Sequence, residues 1–289
     1  MKIFKYLSLA LVALVSASCE KHEITYNAET IASDCAMVQL HYLVPQSTGT
    51  AKNIYKIELD GTTLVNNSAA MMSVYGYTPG VTKYYTVKAG SVSLKLYQSS
   101  DMNLVYENTI TGLQAGKKYQ VVVHDFESAP VAIESTYTLK EFAEENVTEN
   151  TAEYHYINFY NFMYEDLGVP YAGKLQYLCQ YTMDWETGEK SEWLPVGTPV
   201  AFGESTGWIK LPVIKQTYNH KGTARVDYRI VDENGNDLEV INSKGTAYAA
   251  YSDYWTAFVG LHNHHFLKGF RSNKESVASV TQVKVHAQS

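Results

Sequence analysis

Proline and cysteine are scarce in this chain, at 7 and 3 of 289 residues. Proline removes a ladder donor and breaks central strands, and here it stays largely out of the strand-like runs. Three cysteines are too few for a small scaffold stapled by disulfides. Charged residues make up only 18% against 45% hydrophobic, which excludes a disordered chain. Basic residues are outnumbered 23 to 30, for a formal net charge of −7. A nucleic-acid partner is therefore excluded, because phosphate binding needs a basic surface. No apolar run reaches the roughly 20 residues of a membrane span. Catalytic signatures are missing too. There is no G-x-S-x-G elbow and no P-loop, and the carboxylates gather in turns. The sequence points to no catalytic residue, no enzyme, no cofactor and no metal centre.

What is present favours strands. Aromatic residues reach 13%, with 24 tyrosines, a composition that suits pleated sheets better than helices. Tyr55-Lys-Ile-Glu-Leu59 alternates apolar and polar before an Asp60-Gly61 turn. Val92, Leu94 and Leu96 alternate with polar neighbours, and Leu104 to Tyr106 returns beside them. Tyr119, Val121 and Val123 share one face of a further strand, and Val131 to Ile133 reads as a closing strand. Short alternating strands at this spacing predict an all-β chain built from sandwiches. The length suggests two domains, each large enough for its own core. The second half repeats the plan. Tyr154 to Tyr160 opens it, Val226, Tyr228 and Ile230 point inward, Asn234-Gly235 turns, Leu238 to Ile241 returns, and Gln282 to His286 closes. Trp255 to Asn263 stands where Tyr119 to Asp125 stood in the first half.

The amino terminus reads as an address. Met1 to Lys5 is a short basic head, Tyr6 to Val15 is apolar, and Ser16-Ala17-Ser18 leads into Cys19. This resembles the lipobox of bacterial lipoproteins, in which the cysteine becomes the first mature residue and carries lipid. Removing residues 1–18 takes away Lys2 and Lys5 and no acid, so the body becomes more acidic still. Lipid chains, not a basic patch, must then hold it to a membrane. Glu20-Lys21-His22-Glu23 resembles the acidic export signal of Bacteroidetes lipoproteins sent to the outer face of the outer membrane. The resemblance implies a lipid-anchored outer-membrane protein displayed at the cell surface.

Leu113-Gln-Ala-Gly116-Lys-Lys-Tyr119 has the shape of a tyrosine corner, in which a tyrosine hydroxyl bonds backbone just upstream. With Val38-Gln-Leu40, Tyr55 to Gly61, Tyr84 to Gly90 and Val92 to Leu96, it makes residues 36–134 resemble the uncharacterised immunoglobulin-like β-sandwich domains that occur in tandem in Bacteroidetes-type lipid-anchored surface proteins. That resemblance implies an architecture and no chemistry. The expected plan is a signal peptide over 1–18, a tether over 19–35, a sandwich over 36–139, an acidic linker over 140–153 and a second sandwich over 154–289.

Candidate sites are few. In Asp184 to Trp193, the two tryptophans are equidistant from Glu189. A hairpin with an odd-numbered loop would place Trp185 and Trp193 opposite each other. They would then form either a structural cross-strand pair or a flat platform for a sugar face, with Glu186, Lys190 and Glu192 nearby. Tyr154, Tyr156, Tyr160 and Tyr164 form a second alternating aromatic set. His262, His264 and His265 could offer imidazoles to a metal, but a solvated strand end accounts for them as well. Asp232 to Asp237 superficially resembles a calcium loop, yet Asp237 occupies the position that needs glycine, and a hairpin turn explains it. Cys35 and Cys179 read as two buried free thiols. The function that follows is a non-catalytic, lipid-anchored envelope protein that acts as a binding or assembly accessory. Its partner would be another envelope protein or a glycan, with polysaccharide capture as the alternative and a hydrolase more remote.

Overall fold

The computed structural model describes residues 33–66, 68–81, 83–135, 154–184, 186–214 and 223–285. Cys19, the expected signal peptide, the tether's greater part and the linker 140–153 lie outside the described residues. The chain is all-β, and its strands build two sandwiches within one compact unit spanning 31–289.

The first sandwich comprises β1 (Cys35–Tyr42), β2 (Ile54–Leu59), β3 (Thr62–Val65), β4 (Tyr77–Thr78), β5 (Tyr85–Lys88), β6 (Gly90–Gln98), β7 (Asn103–Leu113), β8 (Lys118–Val123) and β9 (Val131–Glu134). One sheet runs β4-β1-β8-β9, with β5 also on β1, and the other runs β3-β2-β6-β7. The second sandwich comprises β10 (Tyr154–Asp166), β11 (Val169–Pro170), β12 (Leu175–Tyr181), β13 (Leu194–Val200), β14 (Ile209–Pro212), β15 (Thr223–Asp232), β16 (Glu239–Ile241), β17 (Tyr248–Ala250), β18 (Ser252–Phe258), β19 (His262–Phe270) and β20 (Ser279–Val285). Its sheets run β11-β10-β19-β20, with β14 on β10, and β13-β12-β15-β18. The two orders correspond except at one edge, where β4 follows β3 in the chain but β11 precedes β12.

Period-two patterning explains the cores. On β6, Val92, Leu94 and Leu96 point inward and are fully buried, while Ser91, Ser93 and Lys95 face out. They pack beside Ile57 of the neighbouring strand and on Val38, Leu40, Val121 and Val123 of the facing sheet. In the second sandwich, Tyr177, Cys179, Val226, Tyr228, Ile230, Ile157, Phe159 and Leu267 play the same part.

The tyrosine corner forms. Tyr119 Oη accepts the Gln114 N–H at 2.9 Å and lies 3.5 Å from the Gly112 carbonyl. Just before it, Gly116 adopts a left-handed φ of 79° and donates its N–H to the Cys35 carbonyl at 2.8 Å. The second sandwich repeats this turn: Gly260 has φ 78° and donates to the Tyr154 carbonyl at 2.7 Å. β8 and β19 then each pair parallel with the opening strand of their sandwich, so Asn263 occupies the place of Tyr119.

This alignment corrects the expected repeat. Leu238 to Ile241 does not return as the partner of β15. After one backbone bond from Leu238 N–H to the Ile230 carbonyl, the chain peels away and pairs β16 with β17. The strand that returns along β15 is β18, which carries Trp255, and the 16–17 hairpin is an insertion.

β10 and β19 carry no alternation because both of their faces are covered. Their inner face joins the core of the second sandwich. Their outer face packs on the equivalent outer face of β1 and β8, where Leu43, Val122 and Ile133 meet Tyr160, Phe162, Phe266 and Val283. The two copies thus meet through the same sheet, as subunits of a two-fold dimer would. Tyr75 Oη bonds Ser276 Oγ across this junction, and Lys268 Nζ lies 3.7 Å from the centre of the Tyr75 ring.

A basic and aromatic sheet face as the candidate binding site

The face away from the core on the sheet β13-β12-β15-β18 is shaped by one sequence, Thr223-Ala-Arg-Val-Asp-Tyr-Arg-Ile-Val-Asp232. Alternation sends Val226, Tyr228 and Ile230 inward and sends Arg225, Asp227 and Arg229 out. The Arg225 guanidinium sits 3.9 Å from the centre of the Tyr254 ring, and its Nε donates to Asp227 Oδ1 at 2.8 Å. Lys190 Nζ donates to the other oxygen of Asp227 at 2.6 Å. Arg229 lies 4.8 Å from the centre of the Trp193 ring and donates to Asp237 Oδ1 at 2.8 Å. Partial burial works against ionising Asp227, but the bonds from Lys190 and Arg225 outweigh it and hold its carboxyl below the usual range. The result is a flat, charged lattice whose two aromatic rings are each covered by a guanidinium.

Trp193 is half-buried on this face. Trp185 lies outside the described residues. The hairpin pairs Thr182 with Lys190 and Cys179 with Leu194, so the register that an odd-numbered loop centred on Glu189 would produce is not the one formed. Glu186 is exposed, and Glu192 flanks Trp193.

The tyrosine set is not a platform. Tyr156, Tyr160 and Tyr164 are buried at the junction between the sandwiches, and Tyr154 lies under Lys210, whose Nζ is 4.0 Å from its ring centre. The histidine run is no solvated strand end either. His262, His264 and His265 sit in a central strand and are buried. His262 stacks on Tyr156 at 4.2 Å and His264 packs on Trp208 at 4.7 Å. His265 points the other way, toward Tyr177 and Trp255, with His155 edge-on to the same indole. Among the described residues, no group of three or more His, Cys, Asp or Glu is placed to hold a metal.

The Asp232 loop is a hairpin turn. Asp232 Oδ1 accepts the N–H groups of Asn234 and Asn236 at 2.9 and 2.8 Å. It borders a cavity of about 500 Å³ that also holds Glu165, but Arg271 clamps Glu165 through two bonds of 2.6 and 2.7 Å. Both described cysteines are free. Cys179 is buried, which raises its thiol to about 11, whereas Cys35 is half-exposed, contrary to expectation.

Fold and site define an all-β sandwich protein with a basic and aromatic sheet face. No family model matches the chain, and no curated protein matches it. Solved structures do. One is CBMbc, a family CBM26 carbohydrate-binding module of Eubacterium rectale Amy13K in complex with maltoheptaose, at 9% identity and a TM-score of 0.20, covering 87% of this chain and 97% of that one. Another is a candidate cell adhesion protein from Bacteroides fragilis, at 10% identity and a TM-score of 0.20, covering 88% and 98%. Likeness this distant leaves the function to be argued from the site.

Proposed function

We propose that this protein is a non-catalytic, lipid-anchored protein of the outer membrane and cell surface, held at Cys19, that binds a partner protein as an accessory in envelope assembly. The observation that carries this reading is the Trp193, Tyr254, Arg225 and Arg229 face. Trp, Tyr and Arg are the side chains that dominate binding energy at protein interfaces. Here Arg225, Arg229 and Tyr254 lie on strands and Trp193 directly precedes one, prearranged by stacking and by the bonds to Asp227 and Asp237, so little ordering remains to oppose association.

Glycan capture is the second reading, and it rests on Trp193. A sugar ring needs an open indole face, and Arg229 already occupies one side of this ring. The protein-partner reading needs no such displacement.

The test is a membrane-impermeant crosslinker applied to intact cells that display the full chain, followed by mass spectrometry. The expected result is a discrete envelope-protein adduct that weakens at least tenfold in R225A/R229A while surface labelling stays unchanged. Capture that does not respond to those changes refutes the face. Labelling that occurs only after the outer membrane is opened refutes surface display. Calorimetry with host and plant polysaccharides checks the second reading: affinity lost in Trp193→Ala would favour it over the first.

A further inference from the structure

A separate cavity of about 230 Å³ opens where the two sandwiches meet, away from the Arg225 and Arg229 face. Its walls come from both copies: His124, Asp125, Phe126 and Glu127 follow β8, whereas Tyr164 lies near the end of β10 and Phe270 ends β19. Neither sandwich alone could form it.

The hydrogen bonds on its wall have a direction. His124 Nδ1 lies 2.8 Å from Tyr164 Oη, and Tyr164 Oη lies 3.4 Å from Asp125 Oδ2. A carboxylate oxygen accepts, so the tyrosine hydroxyl points its proton at Asp125 Oδ2. His124 Nδ1–H then donates to Tyr164, and Tyr164 donates to Asp125. Asp125 Oδ1 accepts the Glu127 N–H at 2.6 Å. Both protons that these side chains own are thereby spent inside the chain of bonds. What remains for a ligand is acceptors: the spare lone pairs of Asp125 and the exposed carboxylate of Glu127. Among the described residues, no Lys or Arg lines the cavity. Burial keeps His124 below its ordinary pKa, hence neutral, although Asp125 partly opposes that shift.

Lining side chains that offer acceptors, negative charge and rings, with no cationic side chain among them, disfavour anions. They suit a donor-rich cation. We infer that this inter-sandwich cavity binds an organic cation, an ammonium or guanidinium group, with Asp125 and Glu127 supplying countercharge and Phe126, Tyr164 and Phe270 supplying ring faces. The group comes either from a free amine or from a lysine or arginine side chain of a protein. Leu167, 76% exposed at the rim, offers apolar contact to the stem of such a side chain.

The inference stands apart from the proposed partner face, and its test does not involve that face. Methylguanidinium and the peptide Ala-Arg-Ala would be titrated into the full chain and followed by NMR or calorimetry. Saturable binding is expected for one or both, weakening as sodium chloride rises from 50 to 500 mM. Binding of methylguanidinium with equal strength would mark a free-amine site, and binding of the peptide alone a protein-borne side chain. Affinity should fall at least tenfold in Glu127→Gln, an exposed change that leaves folding intact, and in Asp125→Asn. No saturation by either probe overturns the inference. So does affinity unchanged in both variants, or maltose binding as tightly as the cations in a manner lost with Glu127→Gln.

Discussion

Acid should unfold this protein well before its carboxylates titrate. His41, His155, His264 and His265 are all buried, and burial lowers their imidazoles from 6.5 to about 4, 3, 3 and 3. His41 Nε2 donates to Gln120 at 2.5 Å, which supports the charged form slightly, but its Nδ1 has no partner. Both nitrogens of His155 and of His264 lack partners, as does Nε2 of His265. In the unfolded chain these groups take up protons below about pH 6.5, and in the folded chain they do so only near 3 to 4. The unfolded state therefore binds more protons across that window, and stability falls as pH falls through it. At pH 5, each histidine is 1.5 units below its unfolded pKa, which is about 2 kcal/mol at 1.36 kcal/mol per unit. Four together remove about 8 kcal/mol, set against a total stability of about 5–15 kcal/mol. Lys268, buried and lowered to about 8, has already made its contribution above neutrality and does not change in this window. Carboxylates held low by partners, such as Asp227 and Asp232, lose their contribution only near pH 4 and below. The assay is urea unfolding followed by tryptophan fluorescence from pH 7.5 to 5. A loss under about 2 kcal/mol over that range would mean the native histidines take up protons in place, and the reasoning would be refuted.

Three further outcomes follow from single side chains. His155→Phe keeps an aromatic ring against Trp255 and removes two partnerless buried nitrogens, so it should raise stability by about 1–3 kcal/mol and flatten the acid slope by about a quarter, both read from the same urea series. Tyr119→Phe deletes the corner bond and should cost about 1 kcal/mol, measured by urea midpoint, with the far-ultraviolet circular dichroism unchanged. Iodoacetamide at pH 8 should alkylate Cys35 in the native protein and reach Cys179 only after unfolding, as judged by peptide mass mapping; native labelling of Cys179 would contradict its burial.

Strands such as β6 in the first sandwich were readable because they show one face to water. Val92 to Leu96 alternate, and the Leu113 to Tyr119 corner carries its own local geometry, whereas Tyr119 to Val123 are buried on both faces. The Arg225–Asp227–Arg229 face was written in the same alternation, but its inward residues drew attention and its outward ones did not. The insertion β16–β17 was misread because Asn234-Gly235 does turn the chain; only the hydrogen bonding past Leu238 shows that the returning strand leaves.

The junction between the copies was hidden for a different physical reason. A strand covered on both faces loses alternation, so Tyr154 to Tyr164 and His262 to Phe270 read as aromatic or polar clusters inviting a ligand. Their partners are distant in the chain, 38 to 223 positions away: Tyr160, Phe162 and Phe266 meet Leu43 and Val122. The missing alternation was itself the signal. In a chain of repeated half-buried strands, an opening strand with no polar face announces that the repeat has a neighbour, and here the neighbour is the other copy. This also explains why polar side chains survive there. Gln120 holds His41 and reaches Tyr84 and Ser135, a set of bonds that fixes a register, and its place is taken in the second copy by His264, which packs on Trp208 and Phe266 instead. The same sheet face in both sandwiches is thus covered by the other sandwich, while among the described residues the cavity at Asp125 and the Arg225–Arg229 face stay exposed.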